Sequence, residues 1–218
     1  MARIARLVVP DLPHHVTQRG NRREPVFFDD SDYLAYLDFL RQAVAISGAQ
    51  VWAWCLMPNH VHLIIQPKDE DGLRKTVANA HRKYASRINQ RHKWTGHLWQ
   101  GRYGSVVMDE AHLYHAFAYV VLNPVRAGLV KHARDWQWSS IHAHLGADDG
   151  LTNTRPAKDR VGDFARFLES SFDEQDFHAL RASEQTGRPI GSPEFIDGLE
   201  AKYDRILKPK KRGPKGRE

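Results

Sequence analysis

Apolar and polar positions switch several times along the chain between a two-residue and a 3.6-residue rhythm, and the switches mark its elements. His14–Arg19 alternates as a short strand and runs into a basic turn, Arg19-Gly20-Asn21-Arg22-Arg23. Ser31 is placed to cap a helix through about Ile46, whose apolar side carries Leu34, Leu37, Phe39, Leu40 and Val44, and Ser47-Gly48 stops it. Residues 51–57 and 60–66 alternate again and are joined by Pro58-Asn59, a hairpin signal. A helix is expected over 72–91 with Val77, Tyr84 and Ile88 inward, then a strand over 98–108 and a helix over 110–122 that Asn123-Pro124 ends. The order β-α-β-β-α-β-α predicts the α+β class, as a ferredoxin-like split βαβ sheet with an extra helix. Such a sheet carries its two crossover helices on one face and leaves the other open.

Past this unit the pattern changes. A link through Trp136, Trp138 and Ser139 leads to a Gly/Asp/Asn/Thr-rich loop over 145–156, and short helices are expected at 162–170 and 173–182. Thr186 to Gly191 reads as a turn, and Ser192-Pro193 opens a final helix with Phe195, Leu199, Tyr203 and Ile206 in register. The organisation expected is a domain over 1–140, a helical C-terminal extension over 141–207 resembling a helix-turn-helix, and a basic disordered tail over 208–218.

Composition narrows the class. With 41% hydrophobic and 27% charged residues in 218, the chain has the make-up of a soluble globular protein. Its longest apolar run is a few residues, too short to span a membrane, and Met-Ala-Arg-Ile-Ala-Arg lacks an apolar signal core, so a cytoplasmic location is expected. A single cysteine, Cys55, excludes internal disulfides and cysteine-based zinc sites. Net charge is +6, unevenly spread: 72–105 contains no acid and eight Lys or Arg, 146–184 is acidic, and the last eleven residues are basic again. Basic blocks separated by an acidic one suggest a polyanion with a defined docking surface.

Two places carry candidate chemistry. His60-Val61-His62 puts two imidazoles on one face of a strand, ~7 Å apart along it; they are either half of a divalent-metal site or ordinary half-exposed strand residues. On the helix over 110–122, Leu113, Phe117, Val120 and Val121 form one side, while His112, His115, Tyr119 and Asn123 cluster opposite. Tyr119 and Asn123, four apart, project together; Tyr114 belongs to neither side. Combined, these parts suit phosphodiester chemistry. His60, His62 and the Asn123 oxygen would hold Mg²⁺ or Mn²⁺ against a phosphate, and Tyr119 would be the nucleophile. Because a free phenol has a pKa near ~10, metal or a base such as His115 must assist its deprotonation. A tyrosyl ester retains the phosphodiester energy, which is the logic of strand transfer.

The sequence also resembles the single-tyrosine HUH transposases of small bacterial insertion sequences, and most closely the REP-associated tyrosine transposases. The likeness runs from about Val16 to Ser139 and rests on Thr17-Gln-Arg-Gly-Asn-Arg22, Trp54-Cys-Leu-Met-Pro-Asn-His-Val-His62, Leu98-Trp-Gln-Gly-Arg102 and Tyr119-Val-Val-Leu-Asn-Pro-Val-Arg126. The resemblance implies metal-dependent nicking of single-stranded hairpin DNA, with a 5′-phosphotyrosine and a free 3′-OH, in a bacterial, nucleoid-associated setting. It assigns the paired histidines to His60 and His62 and the nucleophile to Tyr119. The third ligand is often a glutamine in the wider group, whereas this chain offers Asn123. Related enzymes work as monomers or as homodimers.

On that reading Arg19, Arg22 and Arg23 would hold a hairpin's phosphates, Lys83, Arg87 and Arg91 would track a backbone, and Gln100 and Arg102 would touch DNA. Trp94 and Trp99 are either base-stacking platforms or core. The tail's Arg212-Gly-Pro-Lys215 would enter a minor groove or simply solubilise. Two other classes compete: a DNA-binding regulatory protein derived from such a transposase but without catalysis, and a metal hydrolase acting on a small substrate.

Overall fold

The computed structural model describes residues 5–209, apart from 171 and 174. The expected tail therefore lies outside the described residues, except for Lys208 and Pro209. Four strands, β1 (His14–Arg19), β2 (Gln50–Met57), β3 (His60–Gln66) and β4 (Gly104–Val107), form one antiparallel sheet in the order β2-β3-β1-β4. This is the expected split βαβ arrangement. The fourth strand is four residues long, not eleven, because 98–101 touches the sheet only through a Gly20–Trp99 bridge.

Two helices cover the first face. α1 (Asp30–Ser47) is capped by Asp29, whose side chain accepts from the Asp32 N–H, and not by Ser31, which lies two residues further along in the first turn and donates to Asp29. Gly48 ends it at φ 66°, a left-handed conformation that glycine adopts without a Cβ penalty. A π-type turn over 74–78 leads into α2 (Asn79–His92). Both helices bury Tyr36, Leu37, Leu40, Tyr84 and Ile88 against Val16, Leu56, Val61, Leu63 and Ile65 of the sheet. The polar atoms trapped here are paired: the Tyr84 hydroxyl donates to the Val26 carbonyl at 2.6 Å, and the Tyr36 hydroxyl meets His81 Nε2 at 2.8 Å.

The second face is not open, as the pattern predicted, but covered. α3 (Glu110–Arg126) lies across β2 and β3 and is buried on two sides. It runs three residues past Asn123, with Pro124 inside its last turn; the missing proline donor leaves the helix intact, and Ala127 N–H still reaches the Asn123 carbonyl at 2.9 Å. Beyond it come α4 (Ile141–His144), α5 (Arg155–Val161), α6 (Phe164–Leu168), α7 (His178–Thr186) and α8 (Pro193–Tyr203), the last capped by Ser192 as expected. Ile141, Ala157, Phe164, Phe167, Phe177 and Leu180 share one apolar cluster with Trp52, Ile64, Leu113 and Phe117, so the core draws on both sides of residue 140. Cys55 is buried in β2.

The chain that follows α3 also closes the sheet's rims. Along β2, Leu56 N–H donates to the Trp138 carbonyl, Ser140 N–H to that of Trp54 and Asn153 N–H to that of Val51, each at 2.8–2.9 Å. Along β4, Ile190 N–H donates to the Val107 carbonyl at 3.0 Å. Among the described residues no helix is long and apolar enough to cross a membrane.

Buried histidines make the fold acid-sensitive. Burial pushes His14 down to about 4, His81 to about 3 and His144 to about 4. In His14 the reason is visible: Nε2 accepts from Val9 N–H and Nδ1 faces the Leu12 carbonyl, so a second ring proton would point at a donor. An unfolded histidine protonates near 6.5, the folded ones only below 4, so stability is whole above pH 6.5 and drains away as pH falls toward 4 and 3. At ~1.4 kcal/mol per decade of pKa difference the loss is on the order of several kcal/mol, comparable to a domain's total of about 5–15. Thermal melts are expected to move steeply downward between pH 6.5 and 4; a flat melting temperature over that range refutes the assignment.

Candidate active site

The site is built on the two central strands. Antiparallel register sets Thr17 opposite His62 and Arg19 opposite His60, so β1 residues 15, 17 and 19 share a face with β3 residues 60 and 62. His15 and His62 rings stack with centroids 5.3 Å apart and planes 6° off parallel, and His15 Nε2 lies 3.0 Å from His62 Nδ1. His60 stands edge-on to His62 at 4.9 Å and is oriented by Asn59 Oδ1, 2.6 Å from its Nδ1.

α3 brings Tyr119 and Asn123 down onto this face together, as their spacing required. The Tyr119 ring meets His15 and His62 edge-on at 5.6 and 5.4 Å, and the Asn123 amide lies 3.2 Å from His62 Nε2. Both residues are buried, because the extension roofs them: Phe177 packs on the Tyr119 ring at 5.4 Å. From α7, Glu184 accepts a hydrogen bond from the Tyr119 hydroxyl at 3.3 Å and lies 3.9 Å from both His15 Nδ1 and His62 Nδ1. The Arg126 guanidinium lies over both the Tyr119 and Phe177 rings, 4.9 and 4.7 Å from their centroids. A cavity of about 500 Å³ opens over this centre, walled further by Arg19, Gln100, Arg102 and Arg181.

Burial sets the charge states. His15 is pushed down to about 3; His60 falls to about 4, by burial and then by Arg19; His62 lies well below the usual imidazole range. Neutral rings keep nitrogen lone pairs available to a cation. Burial first, and Glu184 second, push the Tyr119 phenol up to about 12, against the pull of Arg126. Burial likewise raises the Glu184 carboxyl to about 7. The donor set passes a chemical test for a divalent ion: His15 Nδ1 is buried with no hydrogen-bond partner, and ligand atoms of His15, His62 and Glu184 all lie within 4.8 Å of one another.

Other sequence-expected residues are scattered differently. His115 is not at the Tyr119 hydroxyl; its Nδ1 faces Asp176 at 3.6 Å, and Glu184 occupies the place expected for a base. Lys83, Arg87 and Arg91 lie on α2, on the far side of the sheet, and Arg91 is spent on Asp29 and fully buried Asp32 at 3.2 and 2.7 Å. Lys83 donates to Gln42 at 2.9 Å. Arg19, Gln100 and Arg102 do line the cavity, while Arg22 and Arg23 follow on the exposed turn beyond it. Trp99 is core; Trp94 is exposed. Sequence reading missed His15, legible in hindsight as the period-two partner of Thr17 and Arg19, and Arg126, inside a quoted motif. Glu184 left no signal.

Residues 8–123 match the family of IS200-like transposases. A Haemophilus influenzae protein described as a REP-associated tyrosine transposase is 27% identical over 108 residues, 44% of this chain and 61% of its own. An Escherichia coli REP-associated tyrosine transposase is 23% identical over 94 residues, 43% of this chain and 54% of its own. The match thus spans only between about half and three-fifths of these relatives. A solved REP-associated tyrosine transposase bound to a REP hairpin aligns with a TM-score of 0.58 at 21% identity, covering 71% of this chain and 90% of that one, a likeness of fold.

Proposed function

Because the chain belongs to the IS200-like transposase family, we propose that it is a metal-dependent endonuclease and strand transferase for single-stranded hairpin DNA, working through a 5′-phosphotyrosine. The observation that carries this reading is Tyr119, its hydroxyl on a carboxylate and its ring against neutral imidazoles, beside a cavity walled by arginines.

Tyr119 Oη attacks the phosphorus of a bound phosphodiester; the P–O3′ bond breaks, leaving a 5′-phosphate on the tyrosine and a 3′-hydroxyl on the other fragment. The phenol proton passes along the existing hydrogen bond to Glu184, and the departing 3′-oxygen takes up a proton that Glu184 releases, directly or through water. A new strand's 3′-hydroxyl reverses these steps and rejoins the ends. Arg126 stacks against the Tyr119 ring and lowers the cost of its anion, while Arg19 and Arg102 neutralise the incoming backbone. His60, His62 and Asn123 are the ligands proposed for Mg²⁺ or Mn²⁺; of these His62 belongs to the trio whose ligand atoms lie within 4.8 Å of one another, and His15 and Glu184 would complete the donor set around it. When bound, the ion supplies neutralisation of charge on the phosphoryl oxygens.

Incubating the protein with hairpin DNA and Mn²⁺ should yield a covalent species on a denaturing gel. Hairpin binding without any adduct would move the assignment to a regulatory DNA-binding protein. The metal is tested without DNA: His62→Ala is expected to weaken Mn²⁺ binding by at least about ten-fold in calorimetry, as losing one of three ligands should. An unchanged Kd removes the metal assignment.

A further inference from the structure

Both ring nitrogens of His62 are engaged. Nε2 faces the Asn123 amide nitrogen at 3.2 Å, and Nδ1 faces His15 Nε2 at 3.0 Å. A neutral imidazole carries one proton, on one nitrogen or the other, and the group standing opposite decides which. The contacts at His62 therefore set the tautomer of two rings in turn.

An amide nitrogen donates and does not accept, so His62 Nε2 meets Asn123 with its lone pair. The His62 proton is then on Nδ1, where it donates to His15 Nε2. That nitrogen is the acceptor, which leaves the His15 proton on Nδ1. His15 Nδ1 is buried with no hydrogen-bond partner among the described residues, and Glu184 Oε1 lies 3.9 Å from it. At that distance the carboxylate is too far for a hydrogen bond but close enough to favour an N–H turned toward it.

The fold holds the two rings in this relation. His62 is paired with Thr17 across the sheet, and His15 is the diagonal neighbour two residues along β1, a separation that long side chains bridge. The planes are 6° off parallel, and with centroids 5.3 Å apart the 3.0 Å contact is made at their facing nitrogens. His15 is 1% exposed and His62 2%, so water does not stand in for either partner.

We propose that His15 is a positioning residue: it holds the His62 proton on Nδ1 and so keeps the Nε2 lone pair turned toward Asn123 and the ion the two would share. With no acceptor at that place, the proton could move to Nε2 and face the ion instead. A metal-bound histidine is ordinarily steered by a carboxylate, a carbonyl or water. Here a second histidine does it, and as a neutral ring it adds no charge to the site. The proposal rests on the reading of His62 as a metal ligand, and places His15 one step behind it.

The test uses the full chain without DNA. Long-range ¹H–¹⁵N spectra of the metal-free protein, with the His62 signal identified by its loss in His62→Asn, should show the proton on Nδ1. A His62 protonated on Nε2 overturns the proposal, and this measurement does not depend on any His15 variant folding. His15→Phe keeps a ring and removes the acceptor. It should weaken Mn²⁺ binding in calorimetry by about 10- to 100-fold, and shift the His62 proton toward Nε2. His15→Gln, whose amide oxygen can accept the same N–H, should restore most of the affinity and the Nδ1 proton. An unchanged Kd in His15→Phe, or a His15→Gln as weak as His15→Phe, assigns the ring to packing alone and overturns the proposal. Those failures leave the metal reading standing where the wild type binds Mn²⁺. A wild type that binds none sinks the metal reading and this inference with it.

Discussion

Tyr119→Phe is expected to abolish the covalent DNA adduct while leaving hairpin affinity within about two-fold. The substitution removes one oxygen and keeps the ring, which packs edge-on to His15 and His62 and under Arg126. Glu184 loses one neutral hydrogen bond, worth about 1 kcal/mol, so the fold survives. Nothing else on α3 can replace the nucleophile at that spot, and removing a nucleophile costs at least on the order of 10³-fold in rate. Tyr114 is the sharp control. Its ring packs on Phe167 at 4.8 Å, away from the histidines, so Tyr114→Phe should form adduct at the normal rate. An adduct that disappears in Tyr114→Phe and persists in Tyr119→Phe would reverse the assignment.

Much of this geometry was legible in the chain because it is local. Strand alternation put His60 and His62 on one face, helical spacing put Tyr119 over Asn123, the Pro58-Asn59 turn paired β2 with β3, and the order of elements pointed to the sheet plan. What escaped depends on contacts distant in sequence. Glu184 reaches Tyr119 from 65 residues downstream on a nine-residue helix, with no periodicity that marks it. Arg91 fell in a basic helical row, but only the folded chain places Asp29 and Asp32 against it. His115 shares a helical side with Tyr119, yet the extension captures it through Asp176. The open face was misjudged for the same reason: the pattern of a strand says that a face is apolar, not which segment will cover it.

A chain ended at residue 140 is expected to lose its cooperative fold. The boundary follows where the resemblance stops, but the apolar cluster under α3 does not respect it. Removing Ile141, Phe164, Phe167, Phe177 and Leu180 uncovers Trp52, Phe117 and their neighbours on the remaining chain. Five buried side chains at ~1.5–3 kcal/mol each amount to about 10 kcal/mol, as much as a typical domain's whole stability. Circular dichroism and urea melts of the two chains decide it. A cooperative transition in the short chain within about 2 kcal/mol of the full one would establish 1–140 as an independent unit.

The backbone that returns along both rims of the sheet has a consequence for how copies of this protein meet. A bare outer strand offers a row of unsatisfied amides, a template on which another chain can zip itself. Here Trp138, Ser140 and Asn153 occupy that row on β2, and Ile190 engages the outer strand at the other end. The β2 edge and the Val107 end of β4 are therefore already taken, which disfavours two molecules joining their sheets into one continuous ribbon. Any pairing of copies is expected to run through helix surfaces instead.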